Sequence, residues 1–215
     1  MNYSASVIDE VAPAGSKGPP SPRAAETAAL GQTEKEIRRA ESRRLAIAAQ
    51  SGCIESFESL VGQFEKPLYY FLLTKTRNHH QAEDLLQDTF LITYRKLAQF
   101  NPDYPFSSWI FTIANRKAID HYRKQKPLVE EYEFATDKTP RCKVMAAETS
   151  KSLWSGARSV LPANQYNALR LFYIEGMKID EVAVAMNSKV NSVKVWLHRA
   201  RKKIAHELNP RPSVP

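Results

Sequence analysis

Apolar residues in this chain recur at helical spacing in block after block, and no stretch alternates with the two-residue rhythm of a half-buried strand. That periodicity limits the fold to packed helices. The first clear block is TEKEIRRAESRRLAIAAQ, from Thr33. In the next, Phe57, Leu60, Val61, Phe64, Leu68, Phe71 and Leu72 share one face. Pro67 falls inside that face, so a kink or break is expected there. From His79 to Phe100, Leu85, Thr89, Ile92 and Leu97 make one stripe, and Asp84, Gln87, Asp88 and Leu91 another. After the turn Asn101-Pro102-Asp103-Tyr104-Pro105, a helix begins with Ser107 or Ser108 available as its cap. Trp109, Ile113 and the Ala114/Lys117 flank mark its buried side. Pro127 ends it.

Two segments lack this pattern and divide the chain. Residues 1–35 mix Gly, Pro, Ser and Ala without period, which predicts a disordered tail. Residues 128–149 mix charge, Thr and Pro140, which predicts a flexible linker. The expected architecture is all-α: two small helical bundles at 36–127 and 150–209, joined by the linker and followed by a short tail at 210–215.

The C-terminal bundle reads as a helix-turn-helix. Leu161-Pro162 opens a helix that runs through Ala168, Leu169, Leu171, Phe172 and Ile174 and stops at Glu175-Gly176. Ile179, Val182, Ala183 and Met186 then face inward from a short helix. Asn187-Ser188-Lys189-Val190 makes the turn, and Asn191 or Ser192 is placed to cap the last helix. Val190, Val193, Leu197, Ala200, Ile204 and Leu208 form its buried stripe. Its other face carries Lys194, Val195, His198, Arg199, Arg201 and Lys202. Lys194–Lys203 holds five Lys/Arg and no acid. A short second helix with a polar, basic face suits the DNA major groove, where side chains reach base edges and cations meet phosphates. A solvated helical hairpin is the competing reading of the same face.

The rest of the sequence argues against catalysis or a cofactor. The chain has 31 Lys and Arg against 23 Asp and Glu, a formal charge of +8 that favours an anionic partner. Its two cysteines, Cys53 and Cys142, have no zinc-site spacing and read as thiols. His79 and His80 are adjacent, so a helix points them apart, and metal ligation is not expected. His121 and His198 read as polar surface groups rather than catalytic bases. No Ser/His/Asp set, phosphate-cradling glycine loop or carboxylate pair stands out among only seven glycines. There is no apolar run of membrane-spanning length and no signal pattern, so a cytoplasmic non-enzyme is expected.

Three segments taken together are more specific than any one. QAEDLLQDTFLITYRKLAQF, FSSWIFTIANRKAIDHYRKQK and LPANQYNALRLFYIEGMKIDEVAVAMNSKVNSVKVWLHRARKKI resemble, in that order, the extracytoplasmic-function (ECF) group of the sigma-70 family. The resemblance covers about residues 45–127 and 150–208. It implies that Ala82–Tyr94 docks on the β′ clamp helices of core RNA polymerase through Asp84, Gln87, Asp88 and Leu91. It implies that Phe106–Lys126 opens and reads the promoter −10 element, with the preceding loop, Gln99–Ser107, bordering a pocket for an extruded base. Asn115, Arg116, Asp120 and Arg123 match the family's polar pattern. Arg116, Lys117, Arg123, Lys124 and Lys126 suit phosphates, and Tyr122 suits stacking on an unpaired base. Trp109, Phe111 and Ile113 read as core instead.

The last helix, by the same resemblance, reads the −35 element through Lys194, Val195, Trp196, His198, Arg199, Arg201 and Lys202. Two departures bear on promoter choice. A small residue and Arg often flank the position of Val195 and Trp196, and Asn187 stands where a glycine is usual, at a turn that needs a left-handed backbone. Trp196 is left open between a cap over the core and a contact to the polymerase β flap. An anti-sigma factor is a further implied partner. A dimeric helix-turn-helix regulator of the response-regulator output type would share the C-terminal pattern but leaves Ala82–Lys126 unexplained. An anti-sigma-type interaction protein gives no reason for two basic helices.

Overall fold

A computed structural model describes the backbone of residues 22–125 and 149–208, and side chains of 33–124, 154 and 156–206. The expected linker, Lys126, Cys142 and the 210–215 tail lie outside the described residues. Every regular element among those described is helical. The N-terminal bundle consists of α1 (Pro22–Gln50), α2 (Ile54–Thr76), α3 (His79–Arg95), a 3₁₀ turn (Leu97–Gln99) and α4 (Phe106–Gln125). The C-terminal bundle consists of α5 (Thr149–Val160), α6 (Ala163–Tyr173), α7 (Ile179–Ala185) and α8 (Val190–Leu208).

The helix α1 starts at Pro22, so over residues 22–35 the expected tail is helical instead. Proline suits a first helical position, and the alanines that follow favour helix by propensity, which leaves no apolar period in the sequence. The helix α2 runs unbroken through Pro67. Apolar packing on both sides of the proline offsets the hydrogen bond it removes, as Phe64, Leu68, Phe71 and Leu72 are all buried. The left-handed Arg77, at φ 56°, ends α2. Asn78 caps α3 by accepting from the Gln81 N–H at 3.2 Å.

Aromatic rings fill the centre of the first bundle. Phe106 packs 5.4 Å from both Phe64 and Phe100, and Phe71 meets Phe111 edge-on at 5.2 Å. Trp109 lies against Phe100 and Phe106. The expectation that Phe111 is core is met, whereas Trp109 and Ile113 are half-buried at its edge. The helix α4 begins at Phe106, with the Trp109 N–H bonded to the Pro105 carbonyl. Ser107 and Ser108 therefore sit inside its first turn and do not cap it.

Gly176, at φ 65°, turns the chain from α6 to α7, and the Met177 N–H reaches back to the Leu171 carbonyl at 3.1 Å. Asn187 takes the left-handed conformation that its turn demands, at φ 50°. Val182, Ala183, Met186, Val193, Leu197 and Ala200 are buried as their spacing predicts. Val190 is 40% exposed, because α8 starts at that residue and not at Asn191. Asn191 and Ser192 thus fall in the first turn of α8 rather than at its cap.

The two bundles pack on each other, which periodicity within each helix cannot foretell. Arg39 of α1 pairs with the Glu181 carboxylate of α7. Ser108 of α4 donates to the Glu181 carbonyl at 3.5 Å, and Arg38 to the Ile174 carbonyl at 3.4 Å. Thr74 of α2 donates to Asn167 Oδ1 of α6 at 2.9 Å, and Arg170 lies over the Tyr70 ring at 5.0 Å.

Candidate nucleic-acid interface

Three helix faces carry the residues singled out by sequence. The spacing of Asp84, Gln87, Asp88 and Leu91 (i, i+3, i+4, i+7) puts them on one stripe of α3, and all four are exposed. The opposite side of α3 buries Ala82, Leu85, Leu86, Thr89 and Thr93, and the two threonine hydroxyls are satisfied by carbonyls one turn back. Leu91 is 55% exposed and Tyr94 53%, with Tyr94 edge-on to Phe57 at 5.0 Å. The stripe therefore combines two acids with uncovered apolar area, as a basic and apolar partner surface would require.

On α4, Arg116, Asp120, Tyr122, Arg123 and Lys124 are exposed and Lys117 is half-buried. The Tyr122 hydroxyl donates to the Lys75 carbonyl at 2.8 Å, which fixes the ring at the end of α2 while leaving it about half exposed. Burial holds the Lys75 ammonium down at about 8, and its Nζ lies 5.2 Å from the Phe71 ring centre. Lys117 is joined to Asp88 of α3 at 2.8 Å. Asn115 is the buried member of the set. It is only 1% exposed, and both of its side-chain amide atoms lack a hydrogen-bond partner. It lies on the buried side of α4, beside Phe111, Ala114 and Ala118, which are buried as well.

On α8, Lys194, Val195, His198, Arg199, Arg201 and Lys202 are all exposed on the side away from Val193, Leu197 and Ala200. Trp196 is half-buried and packs against the core, which favours the cap reading over a free contact. The short α7 ahead of it is fixed by Glu181, whose Oε2 accepts from the Lys178 N–H at 2.9 Å. The sequence analysis missed the groups that join the bundles, Arg38, Arg39, Tyr70, Thr74, Asn167, Glu175 and Glu181. The unmatched charges of Glu175 and Glu181 beside α6 and α7 were the one available signal. His79 and His80 turn to different partners, Tyr69 and Glu83. Among the described residues no His, Cys, Asp or Glu cluster has metal-site geometry, and no helix is long and apolar enough to cross a membrane.

Comparison with known proteins assigns both bundles. A family model of sigma-70 region 2 matches residues 60–127, which span α2 to α4, and one of sigma-70 region 4 matches residues 159–204, which span α6 to α8. The chain belongs to the sigma-70 family. It is an ECF-type alternative sigma factor, a DNA-binding subunit that joins core RNA polymerase for transcription initiation at promoters. The ECF sigma factor SigW of Bacillus subtilis is 25% identical over 173 residues, 74% of this chain and 92% of SigW. SigM of the same organism is 28% identical over 155 residues, 69% of this chain and 93% of SigM. Among solved structures, CnrH in complex with the cytosolic domain of CnrY superposes with a TM-score of 0.53 at 24% identity, over 80% of this chain and 99% of CnrH. The sigma factor RpoE of Bartonella quintana, in complex with the anti-sigma factor NepR, gives 0.54 at 20% identity, over 74% of this chain and 99% of RpoE. Sigma factors as a family are not enzymes.

Proposed function

We propose that this sigma factor divides its work among the three faces. The α3 stripe of Asp84, Gln87, Asp88 and Leu91 docks on the β′ clamp helices. On α4, Asn115, Arg116, Lys117, Asp120, Tyr122, Arg123 and Lys124 read and open the −10 element, with cations on phosphates and Tyr122 against an unpaired base. On α8, Lys194, Val195, His198, Arg199, Arg201 and Lys202 read the −35 element, with Trp196 steadying the helix from behind. The observation that carries this division is the separation of charge: acids and apolar area share one face of α3, while α8 presents cations and no acid from Lys194 to Lys203. The domains are 36–127 and 150–209, with 128–149 as their tether.

The protein forms no covalent bonds and needs no cofactor. Melting is driven by binding: contacts to flipped bases and backbone offset lost pairing and stacking. It works in the cytoplasm, where core polymerase is found. Because CnrH and RpoE were each solved with a protein partner, RpoE's being an anti-sigma factor, an anti-sigma factor is the expected regulator here too.

Run-off transcription on fragmented genomic DNA, with core polymerase and with or without this protein, tests the reading. Discrete transcripts sharing two upstream elements at a fixed spacing are expected. Autonomous binding of dimers to duplex half-sites, without transcripts, would replace it with an ordinary helix-turn-helix regulator.

A further inference from the structure

The last residue of α1 reaches across the first bundle to the chain just ahead of α4. Gln50 Nε2 donates to the Leu97 carbonyl at 2.8 Å and to the Phe100 carbonyl at 2.7 Å. A primary amide has two N–H donors, and this half-buried one commits both to the same distant turn. The end of α1 leaves the side chain free to do so. Ser51, Gly52 and Cys53 return their N–H groups to the carbonyls of Ile47, Ala48 and Ala49, with Gly52 at φ 97° making the bend. Backbone alone closes those three carbonyls, so Gln50 is not needed as their cap.

The loop that follows Phe100 is anchored at its stem and open at its tip. Phe100 is 3% exposed, with its ring 5.4 Å from Phe106 and 5.2 Å from Trp109. Its backbone is extended, at ψ 125°, so its carbonyl leaves the 3₁₀ turn and meets Gln50 instead. Beyond it the loop bonds to itself. Asn101 Oδ1 accepts from the Asp103 N–H at 2.9 Å, and the Asn101 carbonyl from the Tyr104 N–H at 3.2 Å. Asp103 also lies 3.9 Å from Arg43 of α1, a loose pair with both partners exposed. Tyr104 stands 67% exposed at the tip. The two hydrogen bonds from Gln50 are thus the close ties between α1 and the stem.

We infer that Gln50 is a positioning residue for promoter opening, holding the loop between Gln99 and Ser107 in the shape that receives an extruded −10 base. This rests on the assignment of that loop and α4 to the −10 element. Gln50 acts through order and touches no DNA. A loop already fixed has little conformational freedom to lose when the base arrives, whereas a slack loop loses it at that moment. None of the three proposed faces is on α1, so a change at Gln50 reaches function through the loop.

The test uses holoenzyme, made from core polymerase and the full chain, on fork-junction DNA from a promoter found by run-off transcription. The readout is the ratio of two affinities: for the fork with its own −10 bases, and for the same fork with those bases scrambled. Gln50→Met keeps the length and bulk and removes both donors, while Gln50→Lys keeps a donor at nearly the same reach. Gln50→Met should lower the ratio about tenfold, the scale of two lost hydrogen bonds. Affinity for core polymerase and for duplex −35 DNA should stay at the wild-type level. Gln50→Lys should recover most of the ratio. Amide hydrogen exchange across residues 99–104 should quicken in Gln50→Met and slow again in Gln50→Lys. A packing role alone predicts the opposite order, since methionine fills a half-buried site better than a lysine charge does. A ratio unchanged in Gln50→Met, or lowered equally in both variants, would overturn the inference. So would loss of polymerase binding in Gln50→Met, because the residue would then support the whole bundle and not the loop. A wild-type holoenzyme indifferent to the −10 bases would bring down the loop and α4 assignment, and this inference with it. An indifferent Gln50→Met beside a discriminating wild type overturns the inference alone.

Discussion

Lys117 Nζ stands 2.8 Å from Asp88 Oδ2, so one ion pair joins the face of α3 proposed for polymerase to the helix proposed for the −10 element. Lys117 is half-buried and Asp88 exposed, and such a partly exposed pair stabilises a fold by about 1 kcal/mol at most. Asp88→Arg should therefore leave the melting temperature within a few degrees of wild type. It should weaken binding to core polymerase by tenfold or more, because a cation replaces an acid on the docking stripe. Affinity for core polymerase measured by fluorescence anisotropy checks this. An unchanged affinity would remove Asp88 from the docking surface.

Lys75 should make stability rise with pH. Burial lowers its ammonium from an ordinary 10.5 to about 8. Between those values the unfolded chain holds a proton that the folded chain has lost, so stability increases as pH goes from 8 to 10.5. Below 8 the folded state bears a buried charge. Lys75→Met, which keeps the stem and drops the charge, should stabilise the protein at pH 7 by about 1–3 kcal/mol. Its advantage should shrink as pH approaches 10. Urea unfolding at pH 7 and pH 10 measures both effects, and an advantage that does not shrink would mean that Lys75 is not the titrating group.

Asn187 should tolerate glycine and little else. Its φ of 50° lies where an L side chain is strained unless short and polar. Asn187→Gly is expected to be neutral within about 0.5 kcal/mol, and Asn187→Val to cost about 1–2 kcal/mol. Thermal melts of the two variants distinguish this account from one in which the asparagine side chain itself is required, for which glycine would be as harmful as valine.

How much of this was legible follows from what each contact depends on. The inward stripe of Val182, Ala183, Met186, Val193, Leu197 and Ala200 is written in the spacing of single helices, and the structure buries all six. The exposed stripe of Asp84, Gln87, Asp88 and Leu91 was legible for the same reason. Helix starts were less so. Pro105 and Lys189, not a serine or asparagine side chain, precede α4 and α8, since a backbone carbonyl can open a helix without a capping side chain. The burial of Asn115 was not legible, because a polar side chain next to the apolar positions of a helix reads as surface. A helix face does not declare whether it meets water, DNA or a distant part of its own chain. The Ala-rich start of α1 left no period to read, because alanine favours helix by propensity without marking one face as apolar.

The last prediction concerns α8. Lys194→Ala with Arg199→Ala removes two of the exposed cations from a face that contains no acid from Lys194 to Lys203. Neither side chain contributes to the core beneath, where Val193, Leu197 and Ala200 pack, so the fold should survive intact. Polymerase binding should persist, because the docking stripe is on another helix. Transcription from promoters with a −35 element should fall at least tenfold. Each lost phosphate contact should also lower the slope of log affinity against log salt by about one. Binding to promoter duplex at several salt concentrations, alongside transcription and core-polymerase affinity, separates these effects. If the double variant lost polymerase binding instead, α8 would be part of the docking surface and the division of labour among the three faces would have to be redrawn. If the salt slope fell without loss of transcription, the two cations would be bystanders on phosphates, and promoter choice would rest on Val195 and His198.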